Sequence, residues 1–228
     1  MKRSNKVISV ISSLSFLVSL LLGIIFICSF SHSFYEYEYH KNNQADMIGM
    51  SEEDLMKSTD TLLDYLNNKR DDIVVEANVN GNVREVFNER ETLHMIDVKN
   101  LCNNAKLSAV FMFLLSLCGF IYLFIKEKKY SVTLISYGIK YAIILLVIFV
   151  GLLGIYAVAD FYDFWMNFHY LFFDNDLFIL DPNTSIMINM FPESFFFDLV
   201  ILIMIIYVAI IVSFLWVTNV LKKRMMHD

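Results

Sequence analysis

Four stretches of this chain, Val7 to Phe30, Leu107 to Ile125, Tyr141 to Ala159 and Phe195 to Val220, contain no Lys or Arg, and Asp198 is their only acid. Roughly 20 consecutive apolar residues are what an α-helix needs to cross the hydrocarbon core of a bilayer. A water-soluble domain could not bury four such runs in a chain of 228 residues, 57% of them hydrophobic and 15% aromatic. The first run follows Lys2, Arg3 and Lys6, as a secretory signal would, but it far exceeds the roughly 7–15 residues of a signal core, and its exit, Cys28-Ser29-Phe30-Ser31-His32, offers no small-x-small cleavage site. It reads as an uncleaved anchor.

Orientation follows from the positive charges, which short cytoplasmic segments retain. Lys and Arg cluster at Lys2, Arg3 and Lys6, at Lys126, Lys128 and Lys129, and at Lys222, Lys223 and Arg224. The expected organisation is therefore a cytoplasmic start and first span over 1–30, an extracellular cap over 31–105, a second span over 106–126 and a cytoplasmic hinge over 127–137. A third span over 138–160, an outer interfacial loop over 161–194, a fourth span over 195–221 and a cytoplasmic tail over 222–228 complete it. The fold class is membrane all-α, four spans with a small α+β cap. The outer loop carries Asp163, Asp174, Asp176, Asp181 and Glu193 and no Lys or Arg. The net charge of −6 is thus largely an outward-facing property.

Within the cap, Ser51-Glu52-Glu53-Asp54 places a hydroxyl at an N-cap and acids in the first turn. Leu55, Thr59, Leu62, Leu63 and Leu66 follow at helical spacing, which predicts a helix to about Asn68. Ile73 to Val79 and Asn82 to Phe87 flank Asn80-Gly81, the pair that supplies the positive φ angles of a tight hairpin turn. From Asn88, a good N-cap, the pattern is helical again and runs toward the second span. In the outer loop, the aromatic run Phe161 to Phe173 predicts a short interfacial helix, and Asp181-Pro182-Asn183-Thr184 predicts a turn.

Candidate chemistry is sparse. The three cysteines, Cys28, Cys102 and Cys118, lie in or beside spans with no paired spacing. There is no Gly-x-Ser-x-Gly elbow, phosphate loop, His-Glu-x-x-His motif or basic face for nucleic acid. His227 lies in the tail, and His32 and His40 lie in the polar exit of the first span. His94 and His169 remain, each where an outer segment meets a span. Imidazole titrates near neutrality and can move protons, and Asp97, three residues after His94, shares its helix face and could fix its tautomer. Spacing alone leaves other readings open. A surface histidine is commonly a polar interface residue, His169 sits among belt aromatics, and two histidines with one Asp are a weak zinc signature. Gly151-Leu152-Leu153-Gly154 and the serines of the first span read as close helix packing. Asp198 reads as an acid at interface depth.

Three segments carry a resemblance: Glu91-Thr92-Leu93-His94-Met95-Ile96-Asp97-Val98-Lys99, the run Phe168 to Pro182 beginning Phe168-His169-Tyr170, and Met190-Phe191-Pro192-Glu193-Ser194-Phe195-Phe196. With the four-span layout, the sequence resembles the bacterial lipoprotein intramolecular transacylases. That resemblance implies an acyltransferase of the bacterial cell membrane. It would move the sn-2 acyl chain of a diacylglyceryl-modified N-terminal Cys to the α-amino group of the same Cys, giving a lyso-form lipoprotein. Diacylated lipoproteins and membrane lipid would be its partners, with no cofactor, metal or nucleic acid. His94, oriented by Asp97, is the candidate base and His169 the candidate acid or oxyanion donor, although the sequence does not decide which histidine takes which role, with Asn167, Lys99, Asp181 and Phe191 in support. The competing readings are a metal-dependent membrane hydrolase and a non-catalytic membrane sensor or assembly protein.

Overall fold

The structure, a computed structural model, describes residues 2–225, with the backbone alone for 217–219 and 221–225. His227 and the side chains of Lys222, Lys223 and Arg224 therefore lie outside the described residues. The chain divides into two compact units. The first, of membrane-length helices, takes in residues up to 26, 105–159 and 201 onward; the second, more polar, takes in 27–104 and 160–200.

Nine α-helices and one hairpin are present among the described residues: α1 (Arg3–Ser29), α2 (His32–Asn42), α3 (Gln44–Ile48), α4 (Glu52–Leu66), β1 (Glu76–Val79), β2 (Asn82–Glu85), α5 (Glu89–Glu127), α6 (Ser131–Ala159), α7 (Phe161–Phe172), α8 (Ile186–Met190) and α9 (Glu193–Met225). Three runs are long and apolar enough to cross a membrane: Arg3–Ser29, Glu89–Ala159 and Glu193–Trp216. The middle run comprises α5 and α6, joined by one 3₁₀ turn at Lys128–Tyr130 where Lys128 takes φ 36°. The break is shorter than the hinge expected over 127–137, because the Ser131 hydroxyl bonds to the Lys128 carbonyl and α6 starts there.

In the membrane-length unit, serines of α1 do much of the joining. Ser9 donates to the Leu134 carbonyl and Ser19 to the Ala109 carbonyl at 2.9 Å, while Tyr207 of α9 donates to the Leu17 carbonyl at 3.0 Å. Gly119 and Gly138 permit the approach, since a Cβ on either would collide with Ser12 or Ser9. Leu17, Ala142 and Leu146 form a small apolar core. The expectation that Gly151 and Gly154 mediate packing is not met: a Cβ at either would meet nothing within 4 Å.

In the polar unit, Ser51 caps α4 through the Asp54 N–H, as the sequence predicts. Asn80 (φ 53°) and Gly81 (φ 85°) turn the hairpin, which pairs Glu76 with Glu85 through Val79 with Asn82. The strands are shorter than the apolar runs around them. Ala77 and Val79 face the core and the whole of β2 is exposed. Helices α2, α3 and α8 were not expected. In α2, Phe34, Tyr35 and Tyr39 are buried, and Tyr35 and Tyr39 pack their rings on Phe191 at 6.0 and 6.4 Å. Burial pushes both phenols well above the ordinary tyrosine range.

Candidate functional site

The beginning of α5 organises the site, and its own start is fixed by a reciprocal cap. Asn88 accepts from the Glu91 N–H at 3.0 Å while the Glu91 carboxylate accepts from the Asn88 N–H at 2.6 Å. Glu91 is fully buried, and its other oxygen accepts from the Ser185 hydroxyl at 2.5 Å and the Met187 N–H at 2.8 Å. One carboxylate thus ties the first turn of α5 to the entry of α8. A buried acid survives only when its lone pairs are satisfied, and here three donors converge on it.

His94 lies one turn farther along the same face of α5. Its ring is 6.1 Å from that of His169 and 5.4 Å from Phe173. His169 is delivered by α7, which Asp160 caps through the Asp163 N–H. Phe178 stacks on its ring at 4.8 Å and Trp165 meets it edge-on at 5.0 Å. The two imidazoles therefore share an aromatic enclosure. Phe173 and Phe178 are both buried, and His94 is only 8% exposed.

Proton positions follow from the contacts. His169 Nδ1 lies 2.7 Å from the Trp165 carbonyl oxygen, which can only accept. The proton therefore sits on Nδ1, and Nε2 of the neutral ring carries the lone pair. His94 Nδ1 is buried and has no hydrogen-bond partner among the described residues. Burial, the neighbouring His169 and Arg90 push His94 down to about 4, with Asp97 opposing. Burial also lowers His169, with the Trp165 carbonyl opposing. Both rings are neutral at pH 7.

The remaining sequence candidates are placed as follows. Asp97 does not hydrogen-bond to His94; it accepts from the Asn175 side chain at 2.8 Å, and acts on His94 only through its charge. Arg90, a turn before His94, donates to the carbonyls of Ile179, at 3.1 Å, and Asp176, and lies 3.2 Å from the Asp176 carboxylate. Lys99 lies over the Tyr65 ring at 3.9 Å and donates to the Arg70 carbonyl, so it braces the polar unit. Asn167 donates to the Asp163 carbonyl one turn back in α7. Asp181 closes the expected turn by accepting from Asn183. Phe191 belongs to the Tyr35–Tyr39 cluster. Asp198 pairs with Lys41, which also reaches the buried Glu38. His32 lies beside Asp60 and Glu36, and His40 beside Glu52, all exposed. Among the described residues no three His, Cys, Asp or Glu side chains gather as a metal site would need.

Sequence reasoning missed Glu91 and Arg90 as residues that hold the site. Asn88-x-x-Glu91 was a legible cap signature. The second grip of Glu91, on Ser185, was not, because its partner lies 94 residues away.

The model of the family described as "Lipoprotein intramolecular transacylase Lit" matches residues 9–196. The solved structure of the membrane integral lipoprotein intramolecular transacylase Lit from Bacillus cereus superposes with a TM-score of 0.78 at 22% identity, over 99% of this chain and 100% of that one. Two variants of the same Bacillus cereus protein, one histidine replaced by arginine or by alanine, give TM-scores of 0.76 and 0.78 at 20% identity, over 99% of this chain and 95% and 96% of theirs. No curated protein matches.

Proposed function

This chain belongs to the lipoprotein intramolecular transacylase family, and from that membership together with the imidazole pair we propose that it transfers the sn-2 acyl chain of a diacylglyceryl-modified N-terminal Cys to the α-amine of the same Cys. The protein is membrane-integral, with its apolar runs embedded in lipid. Four crossings are the reading that the 71-residue middle run supports, since it is too long for one span and breaks at a lysine-rich turn. With those lysines and both termini cytoplasmic, the histidines face outward, at the depth where the ester and amine of a lipoprotein lie.

The observation that carries the mechanism is the fixed tautomer of His169 beside a neutral, desolvated His94. An ordinary α-amine has a pKa of about 8, so part of it is neutral at pH 7. The nitrogen attacks the sn-2 carbonyl carbon, forming a C–N bond and a tetrahedral oxyanion. Nε2 of His169 takes the proton that the attacking nitrogen loses. The C–O bond to glycerol then breaks, and the same imidazolium returns that proton to the departing sn-2 oxygen, as the histidine of a serine protease does. An N–H on His94 Nδ1 would be a buried donor without a partner, so the lone pair belongs there and the proton on Nε2. His94 Nε2–H is the donor for the oxyanion. The sequence offered His94 as a candidate base but left open which histidine is base and which acid; these contacts favour His169 as the base.

Because nucleophile and ester belong to one molecule, orientation supplies much of the rate. Trp165, Phe173 and Phe178 surround the two rings with apolar surface, which limits the water that would otherwise hydrolyse the ester. The diacylated lipoprotein is the only substrate required.

The test is tandem mass spectrometry of the N-terminal lipopeptide of a reporter lipoprotein, made in a host whose lipoproteins are otherwise diacylated with a free amine. Substrate and product are isomers, so the informative fragment is the one that places an acyl group on nitrogen. We expect an N-acyl, S-monoacylglyceryl Cys with the intact protein and unchanged substrate with His169→Ala. Unchanged substrate with the well-expressed intact protein would overturn the reading.

A further inference from the structure

The hairpin has two edges, and only one of them is covered. In its register, Val79 pairs with Asn82 and Ala77 with Arg84, and beyond them the Val86 N–H meets the Val75 carbonyl at 2.9 Å. The backbone groups of those residues face across the pair, so the N–H and carbonyl groups of Glu76 and Asn78 on β1, and of Val83 and Glu85 on β2, point away from it. Along β1 these outward groups are taken up by α4. Lys57 donates to the Glu76 carbonyl at 3.2 Å, and the Asp54 carboxylate accepts from the Asn78 N–H at 3.2 Å. Along β2 nothing meets the outward groups of Val83 or Glu85 among the described residues, and Val83 is 73% exposed. The hairpin is anchored from the β1 side, where Ala77 and Val79 are buried and the Asn80 N–H is bonded to the Gly49 carbonyl at 2.8 Å. An open strand edge already fixed in place is a template for a further strand, since little of its own freedom is lost on docking.

The direction of this edge suits the proposed substrate. Strand β2 leads into α5, and Glu85 lies nine residues before His94. A lipoprotein with its N-terminal Cys at the histidines and its polypeptide along β2 runs from Glu85 toward Asn82, antiparallel to β2. Glu85 and His94 are separated by no more than about 21 Å of extended chain and helix, so about six extended residues of the substrate reach Glu85. The charge suits it too. Glu76 and Glu85 stand directly opposite each other, neither is ion-paired among the described residues, and like charges so placed repel. A Lys opposite Glu85 on an added strand shares their face of the sheet and offsets that repulsion. A second copy of β2 fits less well, because pairing Val83 with Glu85 sets Arg84 against Arg84.

We propose that the free edge of β2 is a docking site for the polypeptide of the substrate, an extended, Lys-bearing tether that adds as a third, antiparallel strand through the N–H and carbonyl groups of Val83 and Glu85. The docked tether brings the lipid-bearing Cys to the histidines with its polypeptide already aligned. This site rests on the proposed transfer within lipoproteins, and its first test needs no catalysis.

The probe is a lipopeptide whose two acyl chains are replaced by ether-linked alkyl chains, which cannot be transferred, with either about two or about twelve Lys-containing residues after the Cys. Hydrogen–deuterium exchange of the full-length protein in lipid nanodiscs, resolved to single amides by electron-transfer fragmentation, reads the edge. We expect the long probe to slow exchange at Val83 and Glu85 by about tenfold and the short probe to leave it unchanged. N-methylation of every second residue of the long probe should abolish this protection in one phase of the alternation and spare it in the other, as strand pairing requires. Glu in place of Lys in the tether should weaken the protection, and Glu85→Gln should narrow that difference. With ester-linked substrates, Val83→Pro removes one outward N–H and no bond within the hairpin. It should raise KM for the long substrate several-fold, to that of the short one, and leave kcat unchanged. Equal exchange with long and short probes, or equal effects of the two N-methylation phases, would overturn the docking site. So would slow exchange at these amides without probe that deepens with protein concentration, which would assign the edge to a second copy. The N-methyl series keeps the test open if Val83→Pro fails to fold. Absence of acyl transfer from ester-linked substrates, with protection by the long probe intact, would instead overturn the function and leave the docking site standing.

Discussion

In the membrane-length unit, most of the side-chain bonds that fix one helix against another are hydroxyls on carbonyls, Ser9 on Leu134, Ser19 on Ala109 and Tyr207 on Leu17, beside the Asn5 amide on the Glu127 carboxylate, with Gly119 and Gly138 leaving room for the close approach. The polar unit is joined instead by aromatic clusters such as Tyr35, Tyr39, Phe191 and Phe195, and by carboxylates such as Glu91 and Glu38 drawn inside with their donors. The reason is the solvent. Lipid is as apolar as leucine, so apolar burial cannot drive one span onto another there, and small polar contacts at close range must do it. In water, burying rings supplies the driving force, and a buried acid can then be spent on fixing geometry. The two histidines of the proposed reaction lie in the second kind of structure.

The contrast breaks most sharply at the imidazoles. His169→Ala or His94→Ala should lower acyl transfer by roughly 10²- to 10⁴-fold with little loss of folded protein, measured by lipopeptide yield against expression level. Next in size is Glu91→Ala, which strands the Ser185 hydroxyl and two backbone N–H groups in the interior. At about 1–3 kcal/mol for each stranded group, partly relieved by water, the loss should be about 3 kcal/mol, seen as a lower apparent Tm of the polar unit. A result under about 1 kcal/mol would mean the site is held by its rings instead.

Acid should act through the same unit. His94 falls from an ordinary 6.5 to about 4 on folding, so between those values the unfolded chain binds more protons than the folded one. Stability therefore rises with pH across this window, is fully present above about 6.5 and declines toward pH 4, by about 3 kcal/mol at one pKa unit per 1.4 kcal/mol. A pH series of thermal unfolding on the protein and on His94→Gln isolates the contribution, which should vanish in the variant. The smallest effect sharpens the comparison from the lipid side. Gly138→Leu drives a side chain into Ser9 and should cost about 1–3 kcal/mol, whereas Gly151→Leu meets nothing and should leave the stability within about 0.5 kcal/mol of the parent.

Legibility in the sequence follows the range of each interaction. The Ser51 cap, the Asn80-Gly81 turn, the Asn88 start and the Asp181 turn all close within a few residues, and each formed as read. The α2 helix was missed because what buries Tyr35 and Tyr39 is Phe191, far along the chain, and without that partner His32 to Asn42 has no apolar stripe to recognise. Asp97 illustrates the opposite error. Its spacing from His94 is right for a triad partner, yet Asn175, 78 residues on, takes its oxygen. The glycine pair at 151 and 154 has the spacing of a packing motif but no neighbour in the structure. Pattern shows which face a residue occupies and leaves undetermined what that face meets.

The carbonyl that holds His169 belongs to Trp165, in the same helix and one turn back. The ring therefore receives its orientation from its own backbone, independent of the rest of the enclosure. Relatives could rebuild the loops and even the facing helix to suit other lipid tails, and the nitrogen proposed to take up the proton would stay the same for as long as that single turn of helix keeps its shape.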